Sequence, residues 1–140
     1  MNVEDKMTKS MVTVNISATA AEAAKKMASE KVGTVLVLDG GVLKGLVTDR
    51  QIATKVVASG KDPSKVLVSE FMTNDPVTVS PEMDIHEAVK VIGTHGYRRI
   101  PVLKDGKPIG ILSVADIAEH AKTCNLCMQN IFKELTKSER

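Results

Sequence analysis

Aromatic side chains are nearly missing from this chain: no Trp, one Tyr and two Phe in 140 residues. Stacking platforms of the kind that hold single-stranded nucleic acid therefore cannot be built from it. The 43% of apolar residues must form an aliphatic core of Val, Ile, Leu, Ala and Met. Neither sign of charge dominates, with 19 basic against 17 acidic residues and a net charge of +2, so a polyanion partner is not indicated. No apolar run approaches the roughly 18 residues that span a bilayer. The start Met1-Asn2-Val3-Glu4-Asp5-Lys6 is too polar for a signal peptide. These absences set the expectation of a cytoplasmic protein with no nucleic-acid and no membrane partner. Cysteine is scarce too. Cys124-x-x-Cys127, with His120 four residues before Cys124, supplies three potential zinc ligands or a redox pair, but a closed tetrahedral site needs a fourth ligand. Cys124 also falls on an apolar stripe, where a cysteine acts as a small hydrophobe, and the expectation is no metal.

What the chain does contain is a copy of itself. Sliding the sequence by 65 positions aligns Val3 with Val68, Met7-Thr8 with Met72-Thr73, Val12-Thr13-Val14 with Val77-Thr78-Val79, Gly45 with Gly110 and Ile52-Ala53 with Ile117-Ala118. From Val3 to Ala53 there are 15 identities in 51 positions without a gap, well above what ordinary composition produces. A duplication explains this.

Each copy reads in the same order. Val12-Thr13-Val14 and Val77-Thr78-Val79 are short opening strands, the second closed by Ser80-Pro81. Thr19-x-x-Glu22 and Asp84-x-x-Glu87 are helix starts. Ala20, Ala23, Ala24, Met27 and Ala28, and in the second copy Ile85, Ala88, Val89 and Ile92, form stripes of helical period. A hairpin follows, from Thr34–Leu38 through Asp39-Gly40-Gly41 to Leu43–Val47, and from Ile100–Leu103 through Asp105-Gly106 to Ile109–Leu112. Thr48 and Ser113 then begin a second helix. Ser59-Gly60-Lys61-Asp62-Pro63 marks the break between the copies. Beyond Ala118, residues Ile117, Ala121, Cys124, Met128, Ile131 and Leu135 alternate at spacings of four and three, the pattern of a C-terminal helix. The expected organisation is a repeat over 3–58, a linker over 59–67, a second repeat over 68–122 and a helical extension over 123–140. A three-stranded unit of this size is marginal by itself. Two units related by a pseudo-twofold axis, packed sheet to sheet, would shelter one another and leave a crevice for a ligand.

The chemistry sits at the turns Gly45-Leu46-Val47-Thr48-Asp49-Arg50-Gln51-Ile52 and Gly110-Ile111-Leu112-Ser113-Val114-Ala115-Asp116-Ile117. A hydroxyl at a helix start stands beside free N–H groups and a partial positive charge, which suit a phosphate. A carboxylate three residues on can accept from the hydroxyls of a sugar. The same residues also make a plain capping box. His86 and His95 have no nucleophile or carboxylate partner that the sequence assigns, and are expected at the surface.

Met72-Thr73-Asn74-Asp75-Pro76-Val77-Thr78-Val79-Ser80-Pro81, Tyr97-Arg98-Arg99-Ile100-Pro101-Val102 and the segment ending at Asp116, in that order and with echoes one repeat earlier, resemble a pair of cystathionine-β-synthase (CBS) domains. The resemblance covers residues 3 to 120. It implies an α/β fold of two β-α-β-β-α repeats, and pockets that each draw on both copies. In the intact pocket Ser113 would meet phosphate and Asp116 ribose, with Ser10, Val12, Val32, Gly33, Thr34 and Val35 on the base and phosphate side. In the second pocket Thr48 faces Asp75, Pro76, Tyr97, Arg98, Arg99, Ile100 and Pro101, and Gln51 stands where the ribose-binding aspartate belongs. An uncharged amide is the weaker acceptor, whereas Arg98 and Arg99 offer charge to phosphate, so the sites should be unequal.

The resulting expectation is a stand-alone, non-catalytic sensor of AMP, ADP, ATP or S-adenosylmethionine, requiring no cofactor and working as a homodimer on an unknown regulated protein. The alternative is a structural dimerisation module with vestigial pockets.

Overall fold

The computed structural model describes residues 1–95 and 97–121. Its elements are α1 (Val3–Lys6), β1 (Thr13–Asn15), α2 (Ala20–Glu30), β2 (Thr34–Asp39), β3 (Val42–Thr48), α3 (Asp49–Gln51) continued by a π-helical stretch (Ile52–Val57), a 3-10 turn (Val68–Glu70), β4 (Thr73–Asn74), α4 (Ile85–His95), β5 (Arg99–Lys104), β6 (Lys107–Ser113) and α5 (Val114–Ala121). This is a mixed α/β architecture, as the patterns require. The chain divides into two compact units, Met11–Pro76 and Met1–Ser10 with the chain from Val77 on. The predicted extension over 123–140, with Cys124, Cys127 and the side chain of His120, lies outside the described residues.

In the unit Met11–Pro76 the sheet order is β1-β2-β3-β4, with β1 parallel to β2 and the other pairs antiparallel. Gly40 and Gly41, at φ of 59 and 83°, make the β2–β3 turn. Positive φ at both central positions is the primed geometry that matches strand twist, and glycine adopts it freely. The core gathers Val14, Ala20, Ala23, Met27, Val35, Val37, Val47, Ile52, Val56 and Val68. Of the predicted helical stripe, Ala24 is half-buried and Ala28 is exposed, because an 11-residue helix on a small sheet buries only its nearest face. Thr19 caps α2 by accepting the Glu22 N–H at 3.2 Å.

In the other unit β5 and β6 form the hairpin, turned by Asp105 (φ 54°) and Gly106 (φ 78°). Ile85, Ala88, Val89 and Ile92 of α4 pack with Ile100, Val102, Leu112 and Ile117. Asp84 begins α4, its Oδ1 accepting the His86 N–H at 2.8 Å. That backbone bond, assisted by the His86 ring, holds the Asp84 carboxyl below its ordinary 3.8.

The opening strand predicted at Val77-Thr78-Val79 shrinks to a single parallel bridge between Val79 and Val102. Two prolines explain the loss. In the first unit the Leu36 N–H bonds the Val12 carbonyl and the Ile16 N–H bonds the Leu38 carbonyl, each at 2.9 Å. One repeat later those two donors are Pro101 and Pro81, which have no N–H.

The lead-in segments are exchanged between the sequence repeats. Val3 is fully buried in the core with Ile85, Val102 and Leu112, and Val68 is buried with Val35 and Val47. Their backbone bonds are counterparts. Val3 N–H meets the Met83 carbonyl at 2.9 Å and Ile85 N–H the Met1 carbonyl at 3.0 Å, while Val68 N–H meets Ala18 at 2.9 Å and Ala20 N–H meets Val66 at 2.8 Å. Thr8 pairs with Ile111, and Thr73 with Leu46. Each lead-in therefore completes the hairpin sheet of the other repeat, which makes the sheet of Met11–Pro76 four-stranded rather than three.

Candidate functional site

Both suspected turns form. At the end of β6, Ser113 N–H donates to Asp116 Oδ2 at 2.9 Å and Asp116 N–H donates to Ser113 Oγ at 3.2 Å. This reciprocal capping box fixes the first turn of α5, and both residues are half-buried. Among the described residues the other carboxylate oxygen, Oδ1, accepts only a long 3.4 Å contact from the Thr8 hydroxyl. A carboxylate has about four lone-pair directions, so Asp116 keeps accepting capacity after the box is closed.

At the end of β3 the box is repeated with an amide. Thr48 N–H donates to Gln51 Oε1 at 2.9 Å, and Gln51 N–H donates to Thr48 Oγ1 at 3.2 Å. With Oε1 committed, Nε2 must face the other way, and it donates to Thr73 Oγ1 at 2.8 Å. The direction of the outer bond is thus reversed between the copies. Asp116 can only accept from Thr8, whereas Gln51 donates to Thr73.

Thr54 Oγ1 donates to the Arg50 carbonyl at 2.8 Å. A hydroxyl bonded to the carbonyl four residues back loosens the helical ladder, and the π-helical stretch Ile52–Val57 occurs here, where the second copy continues as α5.

The predicted residues are divided between the two units. Of the intact-pocket set, Ser10, Ser113 and Asp116 belong to one unit and Val12, Val32, Gly33, Thr34 and Val35 to the other. Ser10 is exposed, while Val12, Val32, Gly33 and Thr34 are half-buried. Val35 is fully buried in its own unit's core. Gly33 packs against Asp49, whose Oδ2 is 3.1 Å from where a Cβ would stand. Of the second set, Thr48, Gln51, Asp75 and Pro76 share one unit and Tyr97, Arg98, Arg99, Ile100 and Pro101 the other. Arg98 and Arg99 are exposed, while Ile100 and Pro101 are buried. The Tyr97 ring stacks on His95 with centroids 5.7 Å apart, and His95 Nδ1 lies 3.0 Å from the Val91 carbonyl. Asp75 takes a positive φ of 45°, a conformation that aspartate tolerates better than most residues. Sequence reasoning missed Thr8 and Thr73. Their signal was the repeated Met-Thr pair, which nothing connected to Asp116 or Gln51.

A separate open groove of about 510 Å³ in the unit Met11–Pro76 is lined by Thr13, Asn15, Glu22, Lys26 and Gly40 among others, and contains none of the predicted residues. Lys26 Nζ there bonds the Thr13 carbonyl at 2.6 Å. Among the described residues no three His, Cys, Asp or Glu side chains gather as a metal site. No helix among them is long and apolar enough to cross a membrane.

Comparison with known proteins places this geometry. The family model described as CBS domain matches residues 3–58 and 68–122. The CBS domain-containing protein YhcV of Bacillus subtilis is 37% identical over 117 residues, covering 84% of this chain and 83% of that protein. Among solved structures, Hypoxic Response Protein I with two coordinated zinc ions has a TM-score of 0.79 at 30% identity, covering 86% of this chain and 98% of that one. A hexameric CBS-CP12 protein from bloom-forming cyanobacteria has a TM-score of 0.77 at 31% identity, covering 89% and 74%. With both repeats matched and the duplicated turns in place, the chain belongs to the CBS domain family and carries a tandem pair of these regulatory domains.

Proposed function

We propose that this CBS pair is a non-catalytic sensor that binds an adenosyl ligand of the AMP, ADP, ATP or S-adenosylmethionine class, with Asp116 accepting from the ribose hydroxyls and Ser113 beside the phosphate. The observation that carries the reading is the state of the Asp116 carboxylate. One oxygen is locked by the capping box at 2.9 Å, and among the described residues the other has only the 3.4 Å contact to Thr8. A fixed acceptor with spare lone pairs suits a vicinal diol, and a charged acceptor bonds about twice as strongly as a neutral one. Ser10, Val12, Val32, Gly33, Thr34 and Val35 stay in the proposal as the base and phosphate side. The turn at Gln51 is the weaker site, since its amide oxygen is already spent on Thr48. The proposal extends to a cytoplasmic homodimer acting on a regulated protein, as self-association has a precedent in the hexameric relative.

A structural dimerisation role is the second reading. It is favoured by the completeness of the capping box, which accounts for Ser113 and Asp116 without any ligand. A thermal-shift panel with AMP, ADP, ATP and S-adenosylmethionine separates the two. Ligand at a hundredfold its Kd stabilises by about 2.7 kcal/mol, which raises Tm by several degrees. Asp116→Asn should keep the box and the unliganded Tm while removing that rise. No rise with any of the four at millimolar concentration contradicts the sensor.

A further inference from the structure

We propose that Thr8 is a positioning residue for the Asp116 carboxylate, so that the lead-in segment of the first repeat tunes the ribose-reading group of the second. The inference rests on the ligand reading above and adds to it a residue outside the predicted site. Thr8 reaches Asp116 across 108 positions of sequence. Its backbone is held by two bonds to Ile111, with Thr8 N–H to the Ile111 carbonyl at 2.8 Å and Ile111 N–H to the Thr8 carbonyl at 2.9 Å. Gly110 lets the segment lie flat, since a Cβ there would stand 2.6 Å from Met7 Sδ and 3.0 Å from the Thr8 carbonyl oxygen. The ladder thereby aims the hydroxyl at Oδ1, the oxygen the capping box leaves open.

The same construction recurs in the other copy at Thr73, which pairs with Leu46 and meets Gln51 at 2.8 Å. The contact persists in both copies although the side chain it meets differs in chemistry. Its effect follows from the donors. A carboxylate cannot donate, so the Thr8 hydroxyl must point its hydrogen at Oδ1 and leave the remaining lone pairs outward. The 3.4 Å separation exceeds the usual 2.5–3.0 Å for such a pair, and it should shorten when a ligand seats against the carboxylate.

The test is calorimetric titration of AMP and 2′-deoxy-AMP into the full chain as wild type, Thr8→Val and Thr8→Ser. Valine keeps the β-branched shape and removes the hydroxyl. Thr8→Val should weaken AMP about fivefold, the scale of one hydrogen bond, and leave 2′-deoxy-AMP within about twofold, since that ligand lacks one of the hydroxyls Asp116 reads. Thr8→Ser should restore AMP binding. Equal losses for both nucleotides, or no rescue by serine, overturn the proposal. The Asp116 side-chain carboxyl carbon resonance provides a ligand-free readout. It should move in Thr8→Val and return in Thr8→Ser, and an unmoved resonance overturns the proposal whether or not a nucleotide binds. A wild type that binds neither nucleotide while the resonance responds to Thr8→Val contradicts the ligand reading and leaves the positioning contact standing.

Discussion

Gly45 and Gly110 control how closely the exchanged segments approach. A Cβ on Gly45 would stand 2.5 Å from Met72 Sδ and 2.7 Å from the Thr73 carbonyl oxygen. The methionine can swing away, but the carbonyl belongs to the backbone of β4. Gly45→Ala should therefore destabilise by about 1–3 kcal/mol, the usual cost of overpacking, seen as a lower urea midpoint. Gly110→Ala should cost the same or slightly less, and an unchanged midpoint in both would show that the segments are free to shift. The repeat flagged these glycines, and also Met7-Thr8 and Met72-Thr73, without saying why. The cap residues were legible because Ser113 and Asp116 are three apart on one turn. Thr8 was not, because its contact depends on which sheet its strand joins, and spacing along the chain carries no trace of that choice.

At the scale of elements, helix period and Asp-Gly turns located α2, α4 and both hairpins, since each depends on neighbours within a few residues. The opening strands needed more. Val77-Thr78-Val79 repeats Val12-Thr13-Val14 residue for residue, yet only the latter leads into a strand, because in the second copy one donor on the facing strand is Pro101 and one on the segment itself is Pro81. The prolines were plain in the sequence, but their consequence required the register. The lead-ins were assigned to their own repeats by alignment, while the backbone bonds of Val3, Thr8 and Ile85 join the first lead-in to the second repeat. Full burial of a valine stabilises by about 1.5–3 kcal/mol, so losing Val3 and those bonds is severe for a small unit. Deleting residues 1–10 should abolish hydrogen-exchange protection in β5 and β6 and spare β2 and β3. Retained protection in β5 and β6 would contradict the exchange.

For the whole molecule, the duplication supplies two turns of one geometry and opposite hydrogen-bond character. In one copy the outer atom is the oxygen of a carboxylate, and in the other it is the N–H of an amide. The family resemblance made both turns visible, and Gln51 was legible as a departure from the pattern. Its locked orientation was not, because that follows from the capping bond to Thr48 at 2.9 Å. The consequence is a chemical asymmetry between repeats that began as copies. Titration calorimetry of AMP into the wild type and Asp116→Asn tests this most directly. A single class of site is expected, about one nucleotide per chain, as befits one carboxylate at the capping-box position of the two turns, with loss of measurable binding in Asp116→Asn. Two equivalent sites per chain, or wild-type affinity in Asp116→Asn, would contradict it.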